Sequence, residues 1–179
     1  MEVTLIKAPT EEDLIFCKHC MWITDVNRKG QKPKERISSK MLAKLLDARH
    51  STIRVLQFGF LIEGIPSNIA THLARHVHAQ PFISSLRNDR QEEIDGDAAR
   101  RDTPVDMILY CNAEELMTIA NKRLCFKAAA KTREVVEMMC NAAEEAVPEF
   151  DGLLVPMCEY RGRECHEING CGWNEPARY

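Results

Sequence analysis

The sequence predicts a single domain over residues 1–179 in which helices pack against a small sheet. Three observations lead there. The 179 residues suffice to bury a core of their own. Stretches of period-two hydrophobicity are interleaved with stretches of helical period, and no internal repeat divides the chain.

Val3–Lys7 reads as an opening strand, and the segment from Thr10 as a helix, because the Thr10 hydroxyl can accept the amide of Asp13. Asn27–Lys34 is a basic run containing Gly and Pro, which suits a solvated loop and, equally, an anionic ligand. Ser38–Arg49 restores a helical period, with Met41, Leu42, Leu45 and Leu46 on one face. From Ile53 to Glu63 the residues are β-branched, aromatic and apolar, and Leu56, Phe58, Phe60 and Ile62 share one sheet face. Gly64 is expected to break this strand, and Pro66 to open a helix in its first turn. That helix is expected to run through Ala79, with Ile69, Leu73 and either His76 or Val77 inward. Gln80–Pro81 should end it, since proline disfavours the helical conformation at the preceding residue. Asn88–Pro104 is charged and aperiodic, a mobile surface loop, and Val105–Tyr110 is a further strand. Asn112 and Glu115 form a capping-box-like start to one long helix or two shorter ones, with Leu116, Ile119, Leu124, Ala128, Val135 and Met139 as the stripe. Pro148 ends it, and the Gly- and Cys-containing tail reads as irregular.

With 24 basic and 27 acidic residues and a formal charge of −3, nothing attracts nucleic acid or an anionic membrane globally, so any anion site is local. No run approaches the roughly 18 apolar residues of a membrane span, and Met1–Thr10 is too polar for a secretory signal, so a cytoplasmic protein is expected. Eight cysteines in that compartment suit free thiols better than a disulfide framework, with Cys111, Cys125 and Cys140 as small core residues. Cys17, His19 and Cys20 with Cys158, Cys165, His166 and Cys171 offer tetrahedral ligand types, but the second cluster lacks a C-x-x-C pair. No metal is therefore assigned.

The richest chemistry lies in Leu73–Arg87. A phosphate needs guanidinium forks and hydroxyls converging from different elements. Arg75 and His76, then Ser84, Ser85 and Arg87, supply that set, and Arg123 on the later helix offers a second fork. The same residues also suit surface cations around a hydrogen-bonded core histidine.

The segment from His50 to Arg87 resembles the signature region of flavin-dependent thymidylate synthases, in which a strand leads through a Gly turn to a helix ending in Arg-His-Arg, followed by Ser-x-Arg. Asn112–Leu124 is similar to the family's later helix, and Met157–Gly172 to the Cys- and Gly-rich end of some short members. The resemblance implies an α+β subunit with an antiparallel or mixed sheet, assembled as a homotetramer with shared sites. It also implies FAD, methylenetetrahydrofolate and NADPH, and one-carbon transfer to C5 of dUMP. Carried over, Arg75, Ser85 and Arg87 would hold the nucleotide, and Ser84 and His72 are further candidate contacts to it. Arg123 would face the pyrimidine carbonyls and stabilise charge developing on the ring, as the catalytic residue. His76 and Asn112 would lie at the flavin, and His78, next along from the motif but pointing about 100° away, is a further candidate for cofactor binding.

The chain departs from the pattern mainly on the flavin side. The motif's third residue is Val77, its usual Glu-His is Arg54-Val55, and Ala-Gln-x-Glu is Ala128–Lys131; on the nucleotide side, a frequent glutamine is His72. Groups for the nucleotide survive better than groups for the flavin. A related reaction, C5 hydroxymethylation of dUMP or dCMP, or nucleotide binding without catalysis, is therefore the alternative expectation.

Overall fold

A computed structural model describes residues 1–28, 30–92 and 95–176. Four strands, β1 (Glu2–Lys7), β2 (Gln57–Pro66), β3 (Ala79–Ile83) and β4 (Pro104–Asn112), form one antiparallel sheet in the order β1-β2-β4-β3. Its helices are α1 (Glu11–Ile23), α2 (Ser39–Asp47), α3 (Ser67–Ala74), α4 (Ala113–Arg123), α5 (Ala130–Ala146) and the short α6 (Met157–Tyr160). The expected α+β architecture is the observed one.

Side-chain alternation explains the layering. Phe58, Phe60 and Ile62 on β2, with Val105, Met107, Leu109 and Cys111 on β4, are buried against α4 and α5 residues such as Leu116, Ile119, Val135 and Met139. Each large side chain withdrawn from water contributes about 1.5–3 kcal/mol. The caps follow the residue types: Thr10 accepts from the Asp13 amide and is answered by the Asp13 carboxylate, and Ser38 accepts from the Met41 amide.

Several boundaries differ from the sequence expectation. Met41 lies off the buried stripe of α2, 39 % exposed. Residues Ser51–Val55 form a 3-10 turn, so β2 begins at Gln57. Gly64 does not end it: with φ +63° it sits in a bulge, where the register with β4 shifts between Ile62 and Ile65. Pro66 is therefore the residue before α3 rather than its first turn. The most consequential correction is that α3 stops at Ala74, so Arg75 caps it and His76–His78 lie in a turn. Gln80 and Pro81 then belong to β3, an edge strand, where a missing amide proton is tolerated.

The charged segment after Ser85 is partly ordered by hydrogen bonds within it and to α3. Asn88 accepts the amide of Gly96 at 2.6 Å through Oδ1, and Arg101 O accepts the amide of Asn68 at 2.9 Å. The predicted long helix is two, α4 and α5, joined through half-exposed residues around Cys125. Ala128, expected on the stripe, falls in that joint. The tail is not wholly irregular: it adds α6 and a small parallel pair, β5 (Glu164–Cys165) with β6 (Glu175–Pro176). No helix among the described residues is long and apolar enough to cross a membrane.

Candidate functional site

Ending α3 early turns His76 into the interior. The ring is 8 % exposed and bonded on both sides: Nδ1 lies 3.0 Å from Glu115 Oε1, and Nε2 accepts the Nε–H of Arg123 at 3.0 Å. A guanidinium can only donate, so Nε2 must be unprotonated and the imidazole proton sits on Nδ1, directed at the Glu115 carboxylate. His76 is thus neutral. Its pKa falls to about 4, first because burial penalises the charged ring and then because Arg123 stands beside it. Burial raises the Glu115 carboxyl, and Glu114 adds to the rise, although His78 acts in the opposite direction. Arg123 also donates through Nη2 to His72 O at 2.9 Å, so the guanidinium is held at both Nε and Nη2. Its pKa is lowered by burial and by the nearby Arg75 charge.

These contacts tie the end of α3 to both ends of α4. Asn112 caps α4, its Oδ1 accepting the Glu115 amide at 2.9 Å, so the Glu115 side chain is free to reach His76. The expected reciprocal capping box is therefore only half formed. Arg123 faces a cleft of about 350 Å³ that Lys122, Lys127 and Arg161 also line. Asn121 stands at its wall, donating to Val155 O at 2.7 Å.

The other predicted residues lie elsewhere on the chain. His78 is exposed and, with Asn112, lines a cavity of about 270 Å³ whose rim carries the Arg54–Glu114 ion pair. Val77 is 84 % exposed on the turn. The Ser84 hydroxyl accepts the Asp106 amide at 3.0 Å, extending the β3–β4 pairing. The Ser85 hydroxyl accepts the Arg87 amide at 3.2 Å. Arg87 is held bidentately by Asp89, at 2.8 and 2.7 Å, in a shallow depression of about 480 Å³ with Gly96 and Asp97. Within one chain, then, Arg75, His72, His76 and Arg123 come together, whereas Arg87 lines a separate cavity from Arg123.

A wider cleft of about 650 Å³ lies beside α1 and α2, but its principal cation, Arg36, is paired with Glu11 at 3.7 Å and Glu149 at 3.5 Å. Its charges cancel, so it offers an anion little. Glu115 is the functional residue that sequence reasoning missed, having been spent on the helix cap. A signal existed: Glu115, Ile119 and Arg123 recur every four residues, so an acid and a base flank a buried apolar residue on one stripe of α4.

No protein-family model matches the chain, and no curated protein sequence is similar to it. Solved structures do match. Thymidylate synthase ThyX of Helicobacter pylori with FAD and dUMP superimposes with a TM-score of 0.61 at 15 % identity, over 79 % of this chain and 93 % of that one. A UMP/dUMP methylase, PolB of Streptomyces cacaoi bound with 5-Br dUMP, gives 0.64 at 14 % identity, over 86 % and 96 %. The chain therefore has the fold of the flavin-dependent thymidylate synthases.

Proposed function

We propose that this chain is an enzyme that modifies C5 of a deoxypyrimidine monophosphate by flavin-dependent one-carbon transfer, converting dUMP to dTMP. The observation that carries the reading is the Glu115–His76–Arg123 chain, which holds one guanidinium rigidly at the wall of a cationic cleft. The fold it occurs in is shared with two solved proteins bound to dUMP or 5-Br dUMP.

The roles follow from what each group can do. A guanidinium whose orientation is fixed before substrate arrives needs no reorganisation when negative charge develops on the pyrimidine carbonyls, which is where electrostatic catalysis is most effective. Neutral His76 serves that arrangement because a protonated ring would repel Arg123 and could not accept its Nε–H. Arg75 and His72 stand beside Arg123 as further nucleotide contacts, and Ser84, Ser85 and Arg87 would grip the phosphate. Because Arg87 and Arg123 line separate cavities, a homotetramer that brings the Arg87 loop of one copy to Arg123 of another belongs to the proposal.

The residues present fit a flavin through a reduced set. His76 has no free ring nitrogen, since Glu115 and Arg123 take both. The exposed His78 and the Nδ2 amide of Asn112 remain as the groups that would hold it. When bound, FAD supplies the redox chemistry, with methylenetetrahydrofolate as carbon donor and NADPH as reductant; the chain's own residues bind, orient and hold charge. C5 hydroxymethylation of dUMP or dCMP is the second reading, favoured by Val77 in place of a motif cation.

Calorimetry with dUMP and dCMP, and turnover of dUMP with FAD, methylenetetrahydrofolate and NADPH, test the reading. Flavin absorbance in the purified protein and dTMP as product are expected. A protein that binds dUMP but neither takes up FAD nor turns over is a nucleotide-binding homologue without catalysis. One that binds neither nucleotide overturns the proposal.

A further inference from the structure

The cleft beside Arg123 has a feature that nucleotide chemistry does not use: four of the eight cysteines line it. Cys125 comes from the α4–α5 joint, Cys158 from α6, Cys165 from β5 and Cys171 from the turn before β6. The other four are differently placed. Cys17, Cys111 and Cys140 are buried, and burial pushes their thiols up to about 11, 12 and 12, which suits inert core residues. Cys20, on α1, does not line the cleft. Cys125, expected in the core, is only half-buried. The structure turns the tail back onto the joint that carries Cys125.

Independent contacts hold that arrangement. The rings of Phe126 and Trp173 lie 4.7 Å apart, and Trp173 donates to Glu159 Oε1 at 2.9 Å. The backbone around the sulfurs turns tightly. Gly162, Arg163 and Gly172 all take positive φ, at 72°, 73° and 82°, so the chain reverses sharply before Cys165 and directly after Cys171. A Cβ placed on Gly170 would lie 3.4 Å from Cys165 Sγ, so the Cys171 turn rests against the Cys165 sulfur.

We propose that Cys125, Cys158, Cys165 and Cys171 bind one zinc ion as four thiolates, fastening the tail to the α4–α5 joint. Four thiolates around a divalent cation leave a net charge of −2, and Lys122, Lys127 and Arg161 line the same cleft to balance it. Each thiol loses its proton to solvent as the ion binds, so no oxidant or reductant is required. Among the described residues no three such ligands already form a metal-holding group. Binding must therefore draw the two tail turns inward, a movement their left-handed glycines permit.

The inference does not rest on the nucleotide reading, and its test does not use turnover. Protein purified under reducing conditions is analysed for metals by plasma mass spectrometry, and the stripped chain is titrated with Co(II). About one zinc per chain is expected, with tetrahedral Co(II) bands and a thiolate-to-cobalt charge-transfer band saturating at one equivalent. Cys171 is exposed, so Cys171→Ser should fold yet lose at least tenfold in Co(II) affinity and weaken the charge-transfer band. Cys20→Ser should leave both unchanged. Absence of zinc and of the cobalt bands with all thiols reduced, an iron-sulfur chromophore in place of zinc, or a Cys171→Ser titration identical to the parent would each overturn the proposal. Loss of nucleotide binding with metal intact would sink the enzymatic reading alone.

Discussion

Arg123 donates its Nε–H to Nε2 of His76 at 3.0 Å, and this contact fixes the tautomer of a buried, neutral imidazole. The proton must reside on Nδ1, and Glu115 receives it at 3.0 Å. A charged side chain at the cleft is thereby oriented by a carboxylate that does not itself reach it. Orientation here depends on two buried polar groups, His76 and Glu115, and on the half-buried Arg123, so the arrangement is sensitive to any one member.

Replacing Glu115 tests the sensitivity. Glu115→Leu leaves the His76 Nδ1–H buried without an acceptor, a loss of about 1–3 kcal/mol. Glu115→Gln keeps an acceptor oxygen at the same reach and should recover most of it. Urea denaturation of the three proteins at neutral pH measures the difference, and equal stability of the Leu and Gln variants would contradict the assigned bond.

Acid should loosen the same chain. The His76 pKa lies at about 4 in the fold against its ordinary 6.5, so between these values the unfolded chain binds the extra proton. Stability is then fully present above about pH 6.5 and falls as pH drops toward 4, by on the order of 3 kcal/mol if nothing compensates. Glu115 opposes part of this, since its raised carboxyl pKa makes the folded state bind protons more readily. Net destabilisation on going from pH 7 to pH 5 is expected in the parent and a smaller one in His76→Gln, read from thermal melts at the two pH values.

The sheet and its core were legible because burial here follows period two. Leu56, Phe58, Phe60 and Ile62 are all buried as their alternation required, and the Thr10 cap formed as its spacing required. The end of α3 was not legible: Arg75–His78 carries no helix-breaking residue, and it is the pairing of Ala79–Ile83 with β4, a contact distant in sequence, that claims those residues for a strand. The candidate site divides in the same way. Local chemistry pointed to Arg75, His76 and Arg123, whereas the Glu115 contact and the gathering of Cys125 with the tail depend on how separate elements pack.

Arg87 carries a prediction about competition. In the free chain its fork is occupied by Asp89, so a phosphate must displace that carboxylate before it can be gripped. Both side chains are more than half exposed, and such a pair is worth only about 0.2–1 kcal/mol. Asp89→Asn should therefore tighten dUMP binding by up to about fivefold. Arg87→Ala should weaken it by roughly ten- to a hundredfold, since hydrogen bonds to charged groups contribute about 1.5–3 kcal/mol. Calorimetry on the two variants checks both directions, and a tighter complex for Arg87→Ala would exclude it from the phosphate site.

Val77 offers the reverse experiment, a gain rather than a loss. Its side chain is 84 % exposed on the turn between α3 and β3, so Val77→Arg meets no packing constraint and should change stability by no more than about 0.5 kcal/mol. A guanidinium there joins Arg75 on a short surface already rich in positive charge, beside the buried His76 and the Arg123 it orients. Solvent screens an exposed cation, so the added attraction for an anionic ligand is worth up to about 1 kcal/mol and should tighten dUMP or FAD by about two- to fivefold. If the missing cation is what separates this chain's chemistry from methyl transfer, the product of the variant shifts toward dTMP while its melting temperature stays that of the parent. Unchanged binding of both ligands by a fully folded Val77→Arg protein would place residue 77 outside the site and leave the departure from Arg-His-Arg without chemical consequence.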